Sequence, residues 1–201
     1  MTNLFDRITA WLEATKNDWC KPIKAHALAA SVIALRPDIV VEIGIFRGGS
    51  FVPMAMALKE VGKGIAVGID PWSAQASIEG QIPVNAAWWG NLDYNVIYKD
   101  FMAQINQIGL SDAVRIERKK SDDARVPDRI DLLHIDGNHS DQAIRDVERF
   151  GTSVRVGGLC FMDDIHWDGG GVERACDRLI KMNFVKLYDL VDGAMFQRIG
   201  R

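Results

Sequence analysis

Apolar residues along the chain recur with two different periods, and these periods predict the secondary structure. Spacings of three and four residues are typical of amphipathic helices, and they occur over residues 3–16, 23–35, 50–61, 98–108, 143–150 and 172–180. Short, almost continuous apolar runs, typical of buried strands, lie at residues 39–46, 64–72, 113–121, 129–137 and 157–164. Two further runs, 184–191 and 194–199, flank the turn dipeptide Asp192–Gly193 and predict a hairpin. Residues 73–97 have mixed signals and are interpreted as an insertion or lid.

Helices and strands alternate through most of the chain, which predicts the fold class. An alternation of this kind with apolar middle strands is typical of an α/β fold, in which a doubly wound, mostly parallel sheet is covered by helices on both faces. The five runs and the C-terminal antiparallel hairpin make seven strands. The length of 201 residues suits one domain, in which residues 1–37 form N-terminal helices (a lid or an oligomerisation segment) and residues 38–201 form the core.

Composition excludes several classes of function. The chain carries 24 basic and 27 acidic residues, a net charge of -3, so it lacks the basic surface that nucleic acids or anionic membranes need. The three cysteines show no CxxC spacing, which argues against a disulfide framework and a zinc site. No apolar stretch is long enough to span a bilayer, and the charged N-terminus does not resemble a secretion signal. We therefore expect a cytoplasmic protein without a membrane or nucleic-acid partner.

The end of the first strand, "VEIGIFRGGS", predicts a ligand site. In doubly wound sheets the ligand lies beyond the carboxyl ends of the strands, and Gly44, Gly48 and Gly49 would let the backbone turn tightly there. The spacing differs from the G-x-G-x-x-G dinucleotide fingerprint and no P-loop lysine follows. Glu42 would repel a pyrophosphate but attract a cationic ligand.

The next strand ends suggest which cationic ligand that is. Asp70 ends the second strand in "GIDPW", where an acidic side chain commonly accepts hydrogen bonds from ribose hydroxyls. A nucleoside with positive charge fits both signals, and S-adenosylmethionine (SAM) carries a sulfonium and an ammonium group. Ser121 and Asp122 follow the third strand, where an adenine edge could be bound. Glycine turns and strand-end acids are, however, common in any α/β protein.

Acidic residues at the ends of the fourth and fifth strands predict a metal site. If these strands are neighbours, about 4.8 Å apart, Asp136 would meet Asp163 and Asp164. Carboxylates that close repel unless a cation lies between them, and oxygen ligands favour Mg²⁺, Mn²⁺ or Ca²⁺. A metal-bound hydroxyl is easier to deprotonate, and His139 could serve as the general base. Alternatively, either of the paired aspartates could cap a turn, and Asp136 could bind only the cofactor.

Four motifs together resemble a known family. "EIGIFRGGS", "GIDPW", "LLHIDGNHS" and "GGLCFMDD" are similar, over residues 38–200, to those of class I SAM-dependent methyltransferases with a Rossmann-like fold. The most similar subgroup is the small bacterial one that includes macrocin O-methyltransferase. The resemblance implies that Asp136, Asp163 and Asp164 hold Mg²⁺ and that His139 or Asp136 is the catalytic base. Cephalosporin hydroxylase keeps similar motifs, so the resemblance does not settle the reaction class.

The sequence thus predicts a Mg²⁺-dependent SAM O-methyltransferase that acts on a hydroxyl of a small molecule, a sugar or a phenolic compound. The residues expected to contact SAM are Glu42, Gly44, Gly48, Ser50, Asp70, Ser121, Asp122 and Asp136. Two alternatives stay open. The doubly wound pattern alone would also suit an NAD(P)-dependent oxidoreductase. The small lid, with Trp88 and Trp89 as interface residues, would suit a non-catalytic SAM-fold binding module or a homo-oligomer.

Overall fold

The computed structural model describes residues 2–200. Its eight α-helices are α1 Leu4–Thr15, α2 Pro22–Leu35, α3 Phe51–Val61, α4 Ala74–Ile78, α5 Pro83–Gly90, α6 Tyr94–Gln107, α7 Gln142–Phe150 and α8 Gly171–Lys181. Its seven strands are β1 Ile39–Ile43, β2 Ile65–Ile69, β3 Val114–Glu117, β4 Ile130–Ile135, β5 Val154–Met162, β6 Phe184–Leu190 and β7 Gly193–Arg198. These elements confirm the predicted alternation and the C-terminal hairpin.

The strands form one sheet in the order β3-β2-β1-β4-β5-β7-β6. The first five in this order run parallel, and β7 pairs antiparallel with both β5 and β6. The predicted fold class, a mostly parallel doubly wound sheet with an antiparallel edge, is therefore confirmed. Because β1 lies between β2 and β4, the loops after these strands meet at one edge of the sheet.

Helices cover both faces of the sheet, and each face has its own apolar cluster. On one face, side chains of α1, α2, α3 and α6 pack together with Val40 and Leu132. On the other face, side chains of α7 and α8 pack against Val41, Ile43 and Leu133. Neighbouring residues of a strand point to opposite faces, so the near-continuous apolar sequence of β1 and β4 serves both clusters. The N-terminal helices α1 and α2 thus share a core with α3, and their predicted role as a lid or oligomerisation segment stays a prediction.

Local signals explain where several helices begin and end. Asn3 caps α1, since its side-chain oxygen accepts a hydrogen bond from the backbone N–H of Asp6 at 3.0 Å. Helix α2 starts with Pro22, whose missing N–H costs nothing in the first turn. The helix ends at Leu35, and its C-cap residue Arg36, just before Pro37, takes the left-handed conformation (φ 46°).

The segment 73–97, predicted as an insertion or lid, contains two short helices and the start of a third. Helix α6 begins at Tyr94, four residues before the predicted start, because Asp93 caps it by accepting from the backbone N–H groups of Asn95 and Val96. Helix α5 has no buried residue, which fits a segment that lies over the body of the protein. Among the described residues, no helix combines the length and the apolar character needed to cross a membrane.

Candidate active site

A cavity of about 260 Å³ opens at the carboxyl ends of β1, β2, β4 and β5. It lies at the edge of the sheet where the sequence predicted a ligand site. Of the predicted site residues, Gly44, Ser50, Asp70, Ser121, Asp136, His139, Asp163 and Asp164 line it. Glu42, Gly48 and Asp122 are not among the lining residues. The structure therefore brings most of the predicted residues to one cavity and gives these three other surroundings.

The loop after β1 makes a close approach to the loop after β4. Gly44 has a φ of +86°, and a Cβ atom there would lie 2.0 Å from the backbone oxygen of Asp136. Only glycine fits this position. Gly48, with a φ of +83°, instead packs on Phe101, whose ring atoms would lie 2.9 Å from an added Cβ. Gly48 therefore shapes the turn rather than the cavity surface.

Asp70 holds the loop after β1 in place. One carboxylate oxygen accepts hydrogen bonds from the backbone N–H groups of Ile45 at 2.8 Å and Phe46 at 2.9 Å. The other oxygen accepts from the backbone N–H of Trp72 at 2.6 Å. Burial raises the pKa of Asp70 above its usual value, against these donors, which favour the charged form. The glycine loop and the end of β2 are thus tied together at the predicted ribose site.

Glu42 is completely buried and points away from the cavity. Its carboxylate accepts a hydrogen bond from the hydroxyl of Ser50 at 2.6 Å, and its other oxygen lies 3.3 Å from Nδ1 of His134. This corrects the expectation that Glu42 faces the cofactor directly. Because Ser50 lines the cavity, Glu42 affects the cavity surface by orienting the Ser50 hydroxyl.

His134 lies in the apolar strand β4, and the structure places it between two buried carboxylates. Its Nδ1 faces Glu42, and its Nε2 lies 3.4 Å from Asp163. Burial alone would lower the pKa of His134, but the charges of Glu42 and Asp163 raise it to about 10. The two carboxylates therefore favour the charged form of this imidazole.

A polar group around Ser121 forms the far end of the cavity. The amide nitrogen of Gln142 donates to Ser121 at 3.2 Å, to Asp122 at 3.1 Å and to Asp146 at 3.0 Å. Asp122 is exposed and does not line the cavity. Asp146 does line it, and its second carboxylate oxygen is buried without a hydrogen-bond partner. Burial raises the pKa of Asp146 to about 6.

The sequence analysis missed Asp146, although the sequence contains a signal for it. Asp146 falls on the apolar stripe of α7, next to Val147 and between Ala143 and Phe150. A carboxylate on a buried stripe needs a partner, so its presence there indicates a polar ligand or a buried hydrogen-bond network.

The predicted acidic residues lie close together beyond β4 and β5. Ile135 pairs with Met162 in the sheet, so Asp136 and Asp163 follow at neighbouring strand ends. Ligand atoms of Asp136, His139 and Asp164 lie within 4.8 Å of one another, as do those of His134, Asp136 and Asp163. The predicted proximity of Asp136 to the other two aspartates is thus observed.

His139 lies inside this group. Its Nε2 is 3.0 Å from Asp164 and 3.8 Å from Asp136. The first contact does not have the orientation of a hydrogen bond, the second is too long for one, and this atom is buried. The ring packs on Trp167 at a centroid distance of 4.5 Å. Burial alone would lower the pKa of His139, but Asp136 and Asp164 raise it to about 9. The buried Nε2 therefore has capacity for a ligand that enters the cavity.

The carboxyl group of Asp136 has a raised pKa that lies near neutrality. Burial, with the charge of Asp163, raises it to about 7, while His139 opposes the rise. A carboxylate of this kind can take up a proton near neutral pH.

Lys24 of α2 reaches into the same acidic region, and the sequence analysis missed it. Its ammonium nitrogen lies 2.7 Å and 2.9 Å from the two oxygens of Asp163 and 3.0 Å from Asp192. Burial alone would lower the pKa of Lys24, but Asp163, Asp136 and Asp192 hold it above its usual value. A lysine within the apolar sequence "PIKAHALAASVIAL" was the available signal, because a buried ammonium group needs a carboxylate partner.

This contact bears on the predicted metal ligands Asp136, Asp163 and Asp164. Both oxygens of Asp163 are bonded to Lys24, and one of them also accepts from the backbone N–H of Asp164 at 3.0 Å. The pKa of Asp163 is held well below its usual range by His134 and Lys24, against the effect of burial. Asp163 therefore has no oxygen without a partner, and a metal ion bound by the predicted set would have to share this carboxylate with Lys24.

Aromatic side chains cover the mouth of the cavity. Trp19, from the loop between α1 and α2, stacks on Trp88 of α5 with ring centroids 5.1 Å apart. Trp89 packs edge-on against Phe46 at 5.6 Å and against Trp19 at 5.4 Å. Trp19 and Trp88 remain 53% and 45% exposed. We call these four residues, Phe46, Trp19, Trp88 and Trp89, the aromatic cluster.

Comparison with known families gives an assignment for this architecture. A profile of the Methyltransferase domain family, Methyltransf_24, matches residues 41–165, which include the loops after β1, β2 and β4 and the acidic pair after β5. The chain belongs to this family. The resemblance that the sequence motifs carry is thereby confirmed at the level of the methyltransferase domain. A search of curated proteins finds no match.

Solved structures agree with the methyltransferase fold. The Podospora anserina methyltransferase PaMTH1, solved with S-adenosylhomocysteine (SAH), has a TM-score of 0.70 and 12% identity, covering 100% of this chain and 89% of its own. The O-methyltransferase TomG from Streptomyces achromogenes, solved with SAM, has a TM-score of 0.64 and 12% identity, with coverages of 100% and 91%. An O-methyltransferase from Bacillus cereus, solved with SAH, has a TM-score of 0.64 and 13% identity, with coverages of 100% and 92%. At these identities the likeness concerns the fold of the methyltransferase.

Proposed function

We propose that this methyltransferase transfers the methyl group of SAM to a hydroxyl group of a small molecule. The observation that carries the proposal is the buried Nε2 of His139, which lines the cavity beside Asp136 and Asp164 and has no hydrogen-bond partner among the described residues. An acceptor hydroxyl at this point would give this buried atom a hydrogen bond that the chain itself does not supply. Similar folds in TomG and the Bacillus cereus enzyme, both described as O-methyltransferases, support the choice of oxygen.

The cofactor lies along the loops after β1, β2 and β3 in this proposal. Asp70 receives the ribose hydroxyls beside the glycine loop that it already holds. Ser121 and the unpartnered oxygen of Asp146 receive the adenine edge, because both line the far end of the cavity. The sulfonium then faces Asp136, whose carboxylate favours a positive charge. Gly44 leaves room for this arrangement, since a side chain there would meet the backbone of Asp136.

The transfer is a displacement at the methyl carbon. The acceptor oxygen forms the new bond to carbon while the sulfur–carbon bond breaks, and the electron pair of that bond stays on the sulfur of SAH. The hydroxyl proton passes to Asp136, whose pKa of about 7 suits a general base, while Nε2 of His139, 3.8 Å from that carboxylate, holds the hydroxyl in place. Asp164, 3.0 Å from Nε2, and the Trp167 ring, which packs on the imidazole, together orient His139. Holding oxygen, carbon and sulfur in line supplies much of the rate enhancement.

The family resemblance implies that a metal ion assists the reaction, but both oxygens of Asp163 are already bonded to Lys24. If an ion were bound, it would lower the pKa of the acceptor hydroxyl, but the proton transfer proposed here needs only the chain's own groups. Asp136, His139 and Asp164 are left with the acid–base role. Asp163 has Lys24 and His134 as partners.

The aromatic cluster indicates the shape of the acceptor. Phe46, Trp19 and Trp89 line the cavity at its mouth, where their rings offer flat apolar surfaces. Such surfaces bind the faces of phenolic rings and the apolar faces of sugars, and both classes were predicted from the sequence. We therefore propose an acceptor with a hydroxyl on a flat or cyclic body.

The test is a transfer assay with methyl-labelled SAM and a panel of phenolic and sugar acceptors. Labelled product and an equal amount of SAH are expected by mass spectrometry. The variant His139→Asn should lower turnover by about 10²-fold or more while SAH binding by calorimetry stays close to that of the wild type. His26→Asn is the matched control, since His26 bonds to Thr9 on α1 away from the cavity. Tight SAH binding without transfer to any acceptor would favour the non-catalytic binding module, and binding of NADH in place of SAH would favour the oxidoreductase.

A further inference from the structure

We propose that the ammonium group of Lys24 is the resident cation of this active site, so that the methyltransferase needs no divalent ion to hold its acidic groups together. Lys24 is a positioning residue in this proposal: it orients Asp163 and Asp192 and does not touch the reacting atoms. The proposal depends on the proposed function only where it says what the cation does, which is to hold together the acidic groups of a methyltransferase site. Its test uses neither an acceptor nor turnover.

The first support is the position of the ammonium group within a cluster of three carboxylates. Ligand atoms of Asp163, Asp164 and Asp192 lie within 4.8 Å of one another. Carboxylates at this separation repel and need a cation among them. The nitrogen of Lys24 is bonded to two of the three, Asp163 and Asp192, at 2.7–3.0 Å. It therefore takes the place that an ion would take.

The second support is the cost of removing Lys24. The lysine is 3% exposed and Asp163 is 2% exposed. An ammonium group has three N–H donors, and the contacts to the two oxygens of Asp163 and one of Asp192 use them. An ion that displaced Lys24 would leave a buried positive charge without its partners, which is strongly unfavourable. The free energy of ion binding would therefore have to exceed this loss.

The third support is the way in which the fold positions the ammonium group of Lys24. Lys24 and Asp163 are 139 residues apart, and α2 packs its buried side against α3 and the sheet. Ala25 and Leu28, both completely buried, fix the helix at this point. Asp192 lies in the turn between β6 and β7, in the C-terminal part of the sheet. Two elements far apart in the chain therefore converge on Asp163, in agreement with a built site.

His134 completes the charge balance behind Asp163. Its Nε2 lies 3.4 Å from Asp163, opposite Glu42 on Nδ1. Asp163 thus lies between the ammonium group of Lys24 and the imidazole of His134. The groups left to the cavity are Asp136, His139 and Asp164, which also lie within 4.8 Å of one another, and they are the set that would bind an ion if the proposal were wrong.

The experiment is a titration of Mn²⁺, followed by electron paramagnetic resonance of the free ion, on the wild type and on Lys24→Met. The wild type is expected to leave the signal of free Mn²⁺ unchanged. Lys24→Met should bind one Mn²⁺ per chain, with a Kd at least about tenfold lower than that of the wild type, because Asp163, Asp164 and Asp192 are then without a cation. The double variant Lys24→Met, Asp163→Asn should lose this binding.

Lys21→Met is the matched control, since Lys21 is exposed at the start of α2 and its loss should not create a Mn²⁺ site. Stoichiometric binding of Mn²⁺ by the wild type would overturn the proposal, and so would a folded Lys24→Met variant that binds none. If Lys24→Met does not fold, as judged by circular dichroism, the wild-type titration still decides. A failure here leaves methyl transfer untouched, whereas a lack of transfer in the assay above leaves the Mn²⁺ result intact.

Discussion

The backbone oxygen of Asp136 lies 2.0 Å from the point where a side chain at Gly44 would place its Cβ atom. The loops after β1 and β4 therefore touch, and their contact forms the floor of the cavity. Gly62 provides a comparison, because it also has a positive φ (+74°) but has no atom within 4 Å of an added Cβ. The two positions separate the effect of backbone conformation from the effect of close approach.

For this reason Gly44→Ala should destabilise the protein much more than Gly62→Ala. Alanine in the left-handed region costs about 1–2 kcal/mol, which is the whole effect expected at Gly62. At Gly44 the clash with the Asp136 backbone adds to it, for a total of at least about 3 kcal/mol. Urea unfolding of both variants measures the difference. Equal losses in the two variants would contradict the close approach of the loops.

Asp70→Asn should weaken SAH binding by about 10- to 100-fold, because hydrogen bonds to a charged group contribute roughly 1.5–3 kcal/mol. The amide keeps one acceptor oxygen but places an NH₂ group against the backbone N–H of Trp72 or of Ile45 and Phe46. The glycine loop would then lose its tether. Calorimetric titration with SAH measures the change, with Asp38→Asn, which removes an exposed pair with Lys63, as the control. An unchanged Kd would remove Asp70 from the cofactor site.

Asp131→Asn should remove part of the pH dependence of stability. Asp131 is 2% exposed, accepts from the backbone N–H groups of Asp38 and Ile39, and pairs with Arg155 at 2.6 Å. Burial opposes ionisation, but Arg155 and the backbone donors lower the pKa of Asp131 below its usual value. Because the folded-state pKa is depressed, the stabilisation is present above the unfolded pKa of about 3.9. It is lost as the pH falls through the folded-state pKa.

The variant should therefore be about 2–4 kcal/mol less stable than the wild type at pH 7, and the difference should shrink as the pH falls below about 4. Urea unfolding at a series of pH values is the measurement. Asp38→Asn again serves as the control, with a change of less than about 1 kcal/mol for an exposed pair. A deficit that stays constant down to pH 2 would show that the charge of Asp131 is not what stabilises the strand.

Trp89→Ala should raise the KM for a cyclic acceptor about tenfold, as expected when an aromatic contact of about 1.4 kcal/mol is lost, while SAH affinity is retained. Trp89 lines the cavity and contacts Phe46 and Trp19. Val84, on the same helix and 70% exposed, supplies the control variant Val84→Ala. Steady-state kinetics with the acceptor identified by the transfer assay give the comparison. A KM that moves equally in both variants would rule out the aromatic cluster as the acceptor platform.

Several parts of the site could be predicted because they depend on strand ends. Asp70, Asp136 and Asp163 each follow an apolar run, and parallel strands bring their carboxyl ends to one edge. The register of β4 against β5 then places Asp136 beside Asp163. The direction of the Glu42 side chain could not be predicted in this way: Glu42 is the neighbour of His134 in the sheet, and it is buried and does not line the cavity.

What the sequence determined by itself is the succession of elements and the chemistry at their ends, because periodicity, turn residues and caps act over a few neighbouring positions. The helices between β2 and α6 could not be predicted from the sequence. Both α4 and α5 are short and α5 buries no side chain, so there is little periodic pattern to detect. Only the tertiary structure decided that Lys24 and Asp192 meet at Asp163 and that Asp146 turns toward the cavity. Those contacts join residues far apart in the chain, and packing of the helices on the sheet, not any local pattern, brings them within bonding distance.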